Sequence, residues 1–333
     1  MRFRTTYSIS IALLLLAAGC SKQEAVREQG NFPADHIIRV STEVAPATKG
    51  SYTTDNITEF DLMVTDWTKS AYTYTNTRFS KSASGEWVPE KTLLWGGAKD
   101  IVTVYAVAPC FKTRNFKTNS FQRVPDNPDD MCEVEAEQSE ESKKSDYLYW
   151  VGASNDNKVM VEDCLAEDGK LKIQFTHLLS LVRITFRLGT EFNNWGVPQS
   201  NIISDVVISG TRRSFWISST MYYGALAARA WTEAAAASYV KPYNLDWTSA
   251  VNKTGNCTSV YECILVPQTM ADGDLKISFK AGGKAYEWVA PELTFSPNAA
   301  HTLTLKVGKD AVIAGGFTAT EWVNEDSAIL ETE

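Results

Sequence analysis

Leu181-Val182-Arg183-Ile184-Thr185-Phe186-Arg187-Leu188 decides how this chain folds. Val182, Ile184, Phe186 and Leu188 take every second position, and Arg183, Thr185 and Arg187 alternate with them. Side chains along a strand point to opposite faces in turn, so this pattern predicts a half-buried strand. Similar stretches follow on the C-terminal side, at residues 204–209, 214–218, 262–266, 275–280, 284–290, 301–307 and 316–323. Ala281-Gly282-Gly283 joins two of them and reads as a hairpin turn. On the N-terminal side the first strand spans residues 36–44, with Ile38, Val40 and Val44 on one face. Ile37, Arg39, Ser41 and Glu43 face the other way. Further strands are expected at 57–67, 86–88, 92–95, 101–107, 147–151, 158–161 and 171–175. Seven or so short strands on each side of His177-Leu178 predict an all-β chain of two tandem β-sandwich domains, residues 36–178 and 179–323, with 324–333 as a tail.

Two stretches break the pattern. Residues 126–141 carry eight acids, from Asp126 to Glu141, at spacings that fit no EF-hand, and they read as a solvated loop. Residues 225–240 are rich in alanine and read as a short helix laid across a sandwich.

The start of the chain carries a different message. Arg2 and Arg4 precede an apolar run over residues 11–18, and Gly19-Cys20-Ser21 closes it. A basic start, a short apolar core and a small-residue exit form a secretory signal. The run is shorter than the roughly 20 residues a membrane span needs. Leu16-Ala17-Ala18-Gly19-Cys20 resembles a bacterial lipobox, which implies that residues 1–19 are a lipoprotein signal peptide and that Cys20 is acylated. Residues 20–35 are then a flexible polar tether.

The remaining composition narrows the function. The 333 residues hold 32 basic and 40 acidic side chains, a net charge of −8. With no basic tract, nucleic acid is not an expected partner. Beyond Cys20 stand Cys110, Cys132, Cys164, Cys257 and Cys263, an odd number. None shows a metal-binding spacing, and Cys257 and Cys263 are near enough in sequence to bridge a turn. The three histidines, His36, His177 and His301, form no metal-ligand pair, and no nucleophile elbow occurs. The expectation is no enzyme, no metal and no cofactor.

Four segments then carry a resemblance. Asp146-Tyr147-Leu148-Tyr149-Trp150, residues 172–184 around Phe175-Thr176-His177-Leu178, Ile264-Leu265-Val266-Pro267-Gln268-Thr269, and Thr318-Ala319-Thr320-Glu321-Trp322 resemble, in order, segments of the fimbrillin family. Members are subunits of type V pili. The resemblance implies two transthyretin-like β-sandwiches, travel as a lipoprotein to the outer membrane, and adhesion without catalysis. It also implies assembly with other pilus subunits. In the family a protease cuts behind the first strand, and a terminal strand of a neighbour fills the groove left behind. The exchanged strands here are expected to involve Ile38, Val40 and Val44 at one end, and Phe317 and Trp322 at the other. Candidate processing positions are Lys49 and Arg39. Thr48-Lys49-Gly50 stands where the family commonly has threonine, arginine and a small residue. An arginine-specific protease does not cut at lysine, which favours an accessory subunit, anchor or tip, that keeps its first strand; a structural stalk subunit is the reading if the local protease accepts lysine. The alternative is a non-polymerising surface lipoprotein that binds carbohydrate or a host ligand, with Trp87, Trp195 and Trp231 available to stack on sugars.

Overall fold

The computed structural model describes residues 30–44, 52–110, 132–139, 146–153, 157–215 and 238–321. Its described residues are built from strands and short 3₁₀ turns. The first nine strands are β1 (Val40–Val44), β2 (Glu59–Asp66), β3 (Tyr74–Lys81), β4 (Trp87–Pro89), β5 (Ile101–Ala108), β6 (Cys132–Glu133), β7 (Leu148–Ala153), β8 (Val159–Met160) and β9 (Leu171–His177). Seven of them form one sheet in the order β1-β9-β7-β5-β2-β3-β4, with β8 paired to β5. This sheet rolls until its two ends meet: Trp87 Nε1 on β4 donates to Thr42 Oγ1 on β1 at 3.0 Å. Inside the roll lies an aromatic centre. Phe60 stacks on Phe79 at 5.1 Å and meets Trp87 and Phe175 edge-on. Alternation along β9 supplies Leu171, Ile173 and Phe175 to this core and turns Lys172 and Gln174 outward.

The second group comprises β10 (Ser180–Leu188), β11 (Ile203–Thr211), β12 (Ser214–Phe215), β13 (Ser238–Val240), β14 (Tyr243–Thr248), β15 (Thr258–Leu265), β16 (Gln268–Met270), β17 (Lys276–Ala281), β18 (Lys284–Val289), β19 (Leu293–Phe295), β20 (Ala299–Val307) and β21 (Val312–Glu321). A five-stranded sheet, β14-β15-β10-β20-β21, faces a four-stranded one, β13-β11-β17-β18. The opening octapeptide is the central strand of the first. Val182, Ile184, Phe186 and Leu188 are all buried in the shared core, where Phe186 packs on Phe279 and Tyr261. Tyr261 also ties the two sheets together, its hydroxyl donating to Ile203 O at 2.8 Å. Gly282 and Gly283 both have positive φ, and they close the β17–β18 hairpin as a two-residue turn of the kind that needs such residues.

A third, smaller core joins the groups. Met63, Tyr105 and Val107, from the outer face of the first sheet, pack with Leu178, Leu179, Leu181, Ile264 and Val266.

Four expectations change. The segment expected as one strand over residues 36–44 is split. Ile38 N–H donates to Leu93 O and Trp95 N–H to His36 O, after which the chain crosses to β9 and β1 begins at Val40. Arg39 is therefore the crossing residue and lies just outside the strand. The acidic stretch is not all solvated loop. Its residues 132–139 dock on the second group: β6 pairs β12, Val134 and Gln138 are buried, and Gln138 exchanges two hydrogen bonds with the backbone of Ile264 at 2.8 Å each. Glu137 meets Lys241 at 2.5 Å. Cys257 and Cys263 do not bridge a turn. Both are free and buried, and six residues along an extended strand separate them by roughly 20 Å. Of the stretch expected as a helix, residues 238–240 are β13; the rest lies outside the described residues.

Candidate functional site

The features that could join this chain to another are its sheet edges, because an unpaired edge presents backbone groups to a partner strand. Two of the edges are the strands singled out in the sequence. β1 is the outer strand of the rolled sheet and is held on one side by β9, in parallel, with Val40 opposite Leu171 and Val44 opposite Phe175. β21 is the outer strand of the five-stranded sheet, held antiparallel by β20.

The two edges differ in what they bury. Val40 and Val44 on β1, and Ile38 just before it, are 7%, 6% and 1% exposed and fill the first core, so the face predicted to be apolar is the inner one. Burying three such side chains is worth roughly 4–9 kcal/mol. That is comparable with the roughly 5–15 kcal/mol that hold a whole domain together. β21 buries little: beyond half-buried Val312 and Phe317, the described side chains of the strand are exposed. Phe317 lies against His301 at 5.6 Å and meets Phe295 edge-on. Burial depresses the affinity of the His301 ring for a proton, and its Nε2 accepts Ser296 N–H at 2.9 Å.

The chain leaving β1 is fixed on both sides of the Lys49 segment. Val44 N–H donates to Thr54 Oγ1 at 2.9 Å, and Tyr52 N–H donates to Asp146 Oδ2 at 2.8 Å. Asp146 is fully buried and lies 3.0 Å from the ring of His177, itself fully buried. Arg39 is exposed and pairs with Asp35 at 2.6 Å; that hydrogen bond holds the Asp35 carboxyl down to about 2. The Arg39 carbonyl accepts Leu171 N–H, so its backbone is anchored to β9. Cys20, Lys49 and Trp322 lie outside the described residues. Of the tryptophans considered for sugar stacking, Trp87 is packed in the seam against Phe60, Trp195 is fully exposed, and Trp231 lies outside the described residues. Among the described residues no cluster of three His, Cys, Asp or Glu side chains could hold a metal, and no helix is long and apolar enough to cross a membrane.

The sequence model of the fimbrillin-like family matches residues 45–322. The chain belongs to this family. It is a structural family of fimbrial and adhesion proteins, and its members act at the cell surface in association with other pilus subunits. Among solved structures, a candidate cell adhesion protein from Bacteroides ovatus superposes with a TM-score of 0.58 at 13% identity, covering 87% of this chain and 99% of its own. A fimbrial protein from Bacteroides vulgatus gives 0.52 at 12% identity, over 86% and 99%. At these identities the likeness shows the fold. A search of curated proteins found no match.

In this fimbrillin-like chain the sequence motifs acquire physical roles. Asp146 and His177, from two separate motif segments, form the buried pair that holds Tyr52. The sequence marked both as motif letters and gave no sign that they meet. Gln138 was missed, although Val134, Ala136 and Gln138 alternate with Glu133, Glu135 and Glu137, a period-two signal overshadowed by the charge.

Proposed function

We propose that this chain is an accessory subunit of a surface fimbria, an anchor or tip, that keeps its first strand and joins its neighbour by strand addition through β21. The observation that carries this reading is the contrast between the two edges. β1 fills a core that cannot stand empty, whereas β21 can leave its sheet at small cost. A strand moved between chains exchanges one set of backbone hydrogen bonds for an equal set. The balance is therefore set by side chains, and it favours keeping β1 and lending β21. Head-to-tail contacts of this type do not close on themselves, so they extend a filament or end one.

Lys49 sets which of these applies. A chain left uncut behind β1 retains that strand and accepts no neighbour there. A cut between Lys49 and Gly50 would free it, while Asp146 would still hold Tyr52 two residues beyond the new start. We further propose that Cys20 carries the lipid that holds the protein on the outer membrane, that the chain divides near His177-Leu178, and that it performs no catalysis. The test is Lys49→Arg. With an arginine-specific protease present, the variant should be cut behind β1 and give a ladder on an unboiled gel, while the wild type stays uncut. A wild type that is cut and forms the ladder as readily as the variant would end the accessory reading.

A further inference from the structure

The outer face of the five-stranded sheet carries an unusual row. Arg187 on β10 stands opposite Lys306 on β20, which stands opposite Ile313 on β21. With Asn256, Val307 and Gly308 these residues line an open cavity of about 460 Å³. We propose that this cavity binds an acidic sugar, a carbohydrate ring bearing a carboxylate.

The charge is the first argument. Like charges directly opposite on neighbouring strands destabilise a sheet, and an anion between them removes that cost. Neither cation has a carboxylate partner among the described residues, and no acid lines the cavity. Of the acids near it in sequence, the Glu191 carboxylate lies beside the wall glycines Gly189 and Gly308 and is held by a backbone N–H, while Asp310 turns to another cation. Glu191 Oε1 accepts Lys309 N–H at 2.8 Å, and Asp310 pairs with Lys284 at 2.9 Å. Two cations side by side without a carboxylate partner among the described residues stand out in a chain of net charge −8.

Preorganisation is the second. Asn256 Oδ1 accepts from Arg187 Nε at 3.3 Å and from Nη2 at 3.1 Å, and Asn256 Nδ2 donates to Leu188 O at 2.6 Å. The guanidinium is thus held in place with its remaining N–H groups free to meet a planar carboxylate. A cation fixed in advance loses less freedom on binding than one that must be ordered.

Shape and apolar surface are the third. The volume falls in the range of small-ligand sites. Ile313 is 64% exposed and offers an apolar patch to the C–H face of a ring. The backbones of β10 and β20 are each paired on both sides, so an extended peptide would find no main-chain groups to pair with in the floor. Recognition there must run through side chains, which favours a compact anionic ring over an acidic peptide.

The cavity includes Ile313 of β21, so this inference concerns the subunit with β21 in its own sheet, and sugar binding by that monomer is measured separately from polymer formation. Calorimetry on the mature chain would use a glucuronate-containing hyaluronan tetrasaccharide, with cellotetraose as the neutral control and hexaglutamate as the acidic peptide. The tetrasaccharide should bind, and more weakly as salt rises. Arg187→Gln with Lys306→Gln should weaken it at least tenfold with no fall in melting temperature. Should the double variant fold poorly, Lys306→Gln alone should lower affinity several-fold. Absence of binding at millimolar sugar, equal binding of cellotetraose, tighter binding of hexaglutamate, or unchanged affinity in a folded variant would each overturn the proposal.

Discussion

Ile184 is completely buried at the centre of the second core, between β15 and β20. A carboxylate there has no partner to offset its lost hydration, so Ile184→Asp should unfold the second group of strands, seen as loss of its cooperative melting transition. Asp146 is buried with the opposite logic, since a backbone N–H and a histidine ring both depend on it. Asp146→Ala should cost about 1–3 kcal/mol in denaturant unfolding, the range for leaving a buried donor without its acceptor. His301 gives a pH prediction. Its folded-state pKa is lowered by burial, so the unfolded chain takes the proton more readily. Its contribution is complete above the ordinary histidine value of about 6.5 and is lost as pH falls below it. The groups packed on the ring, Phe295, Phe317 and the Ser296 backbone, do not titrate. Protection of the β21 amides, corrected for the intrinsic pH dependence of exchange, should therefore be weaker at pH 5 than at pH 7.5, and His301→Asn should flatten that difference. At this scale the sequence was partly legible. Alternation identified Ile184 as core, but the Asp146–His177 contact needed tertiary structure, because two residues 31 apart meet only through the pairing of β7 with β9.

β1 and β21 are both edge strands, yet they should respond oppositely to removal. Deleting residues 312–333 strips a strand that buries little, and the remaining protein should melt within a few degrees of the intact chain. Deleting residues 36–44 empties a slot lined by β9 and Trp87, and should cost roughly 4–9 kcal/mol, enough to leave the first group open or aggregated. Strands with strict alternation, such as β9, β10 and β17, were legible because one face is core and the other is water. β3 was not, because Tyr74-Thr75-Asn76-Thr77-Arg78-Phe79-Ser80-Lys81 holds few apolar residues; its inward Phe79 completes a stack with Phe60 that no local pattern announces. The crossing at Arg39 was hidden for a related reason. The periodicity of residues 36–44 runs on unbroken while the hydrogen-bonding partner changes from Leu93–Trp95 to β9.

At the scale of the whole molecule, the two groups of strands meet through the third core and through residues 132–139, which leave the first group to pair with the second. All-β architecture was legible from the spacing of the strands, whereas this cross-group docking was not, because it depends on which surface an acidic but alternating segment meets. The proposed lipid attachment rests on Cys20, and labelled palmitate should enter the wild type and not Cys20→Ala. The central claim is that this fimbrillin-like subunit keeps its first strand in place while β21 is the strand it lends. The most direct measurement is mass spectrometry of the mature N-terminus of protein released from the cell surface. The account predicts an acylated Cys20 peptide and an unbroken peptide across Lys49-Gly50. A mature chain beginning at Gly50 would contradict it.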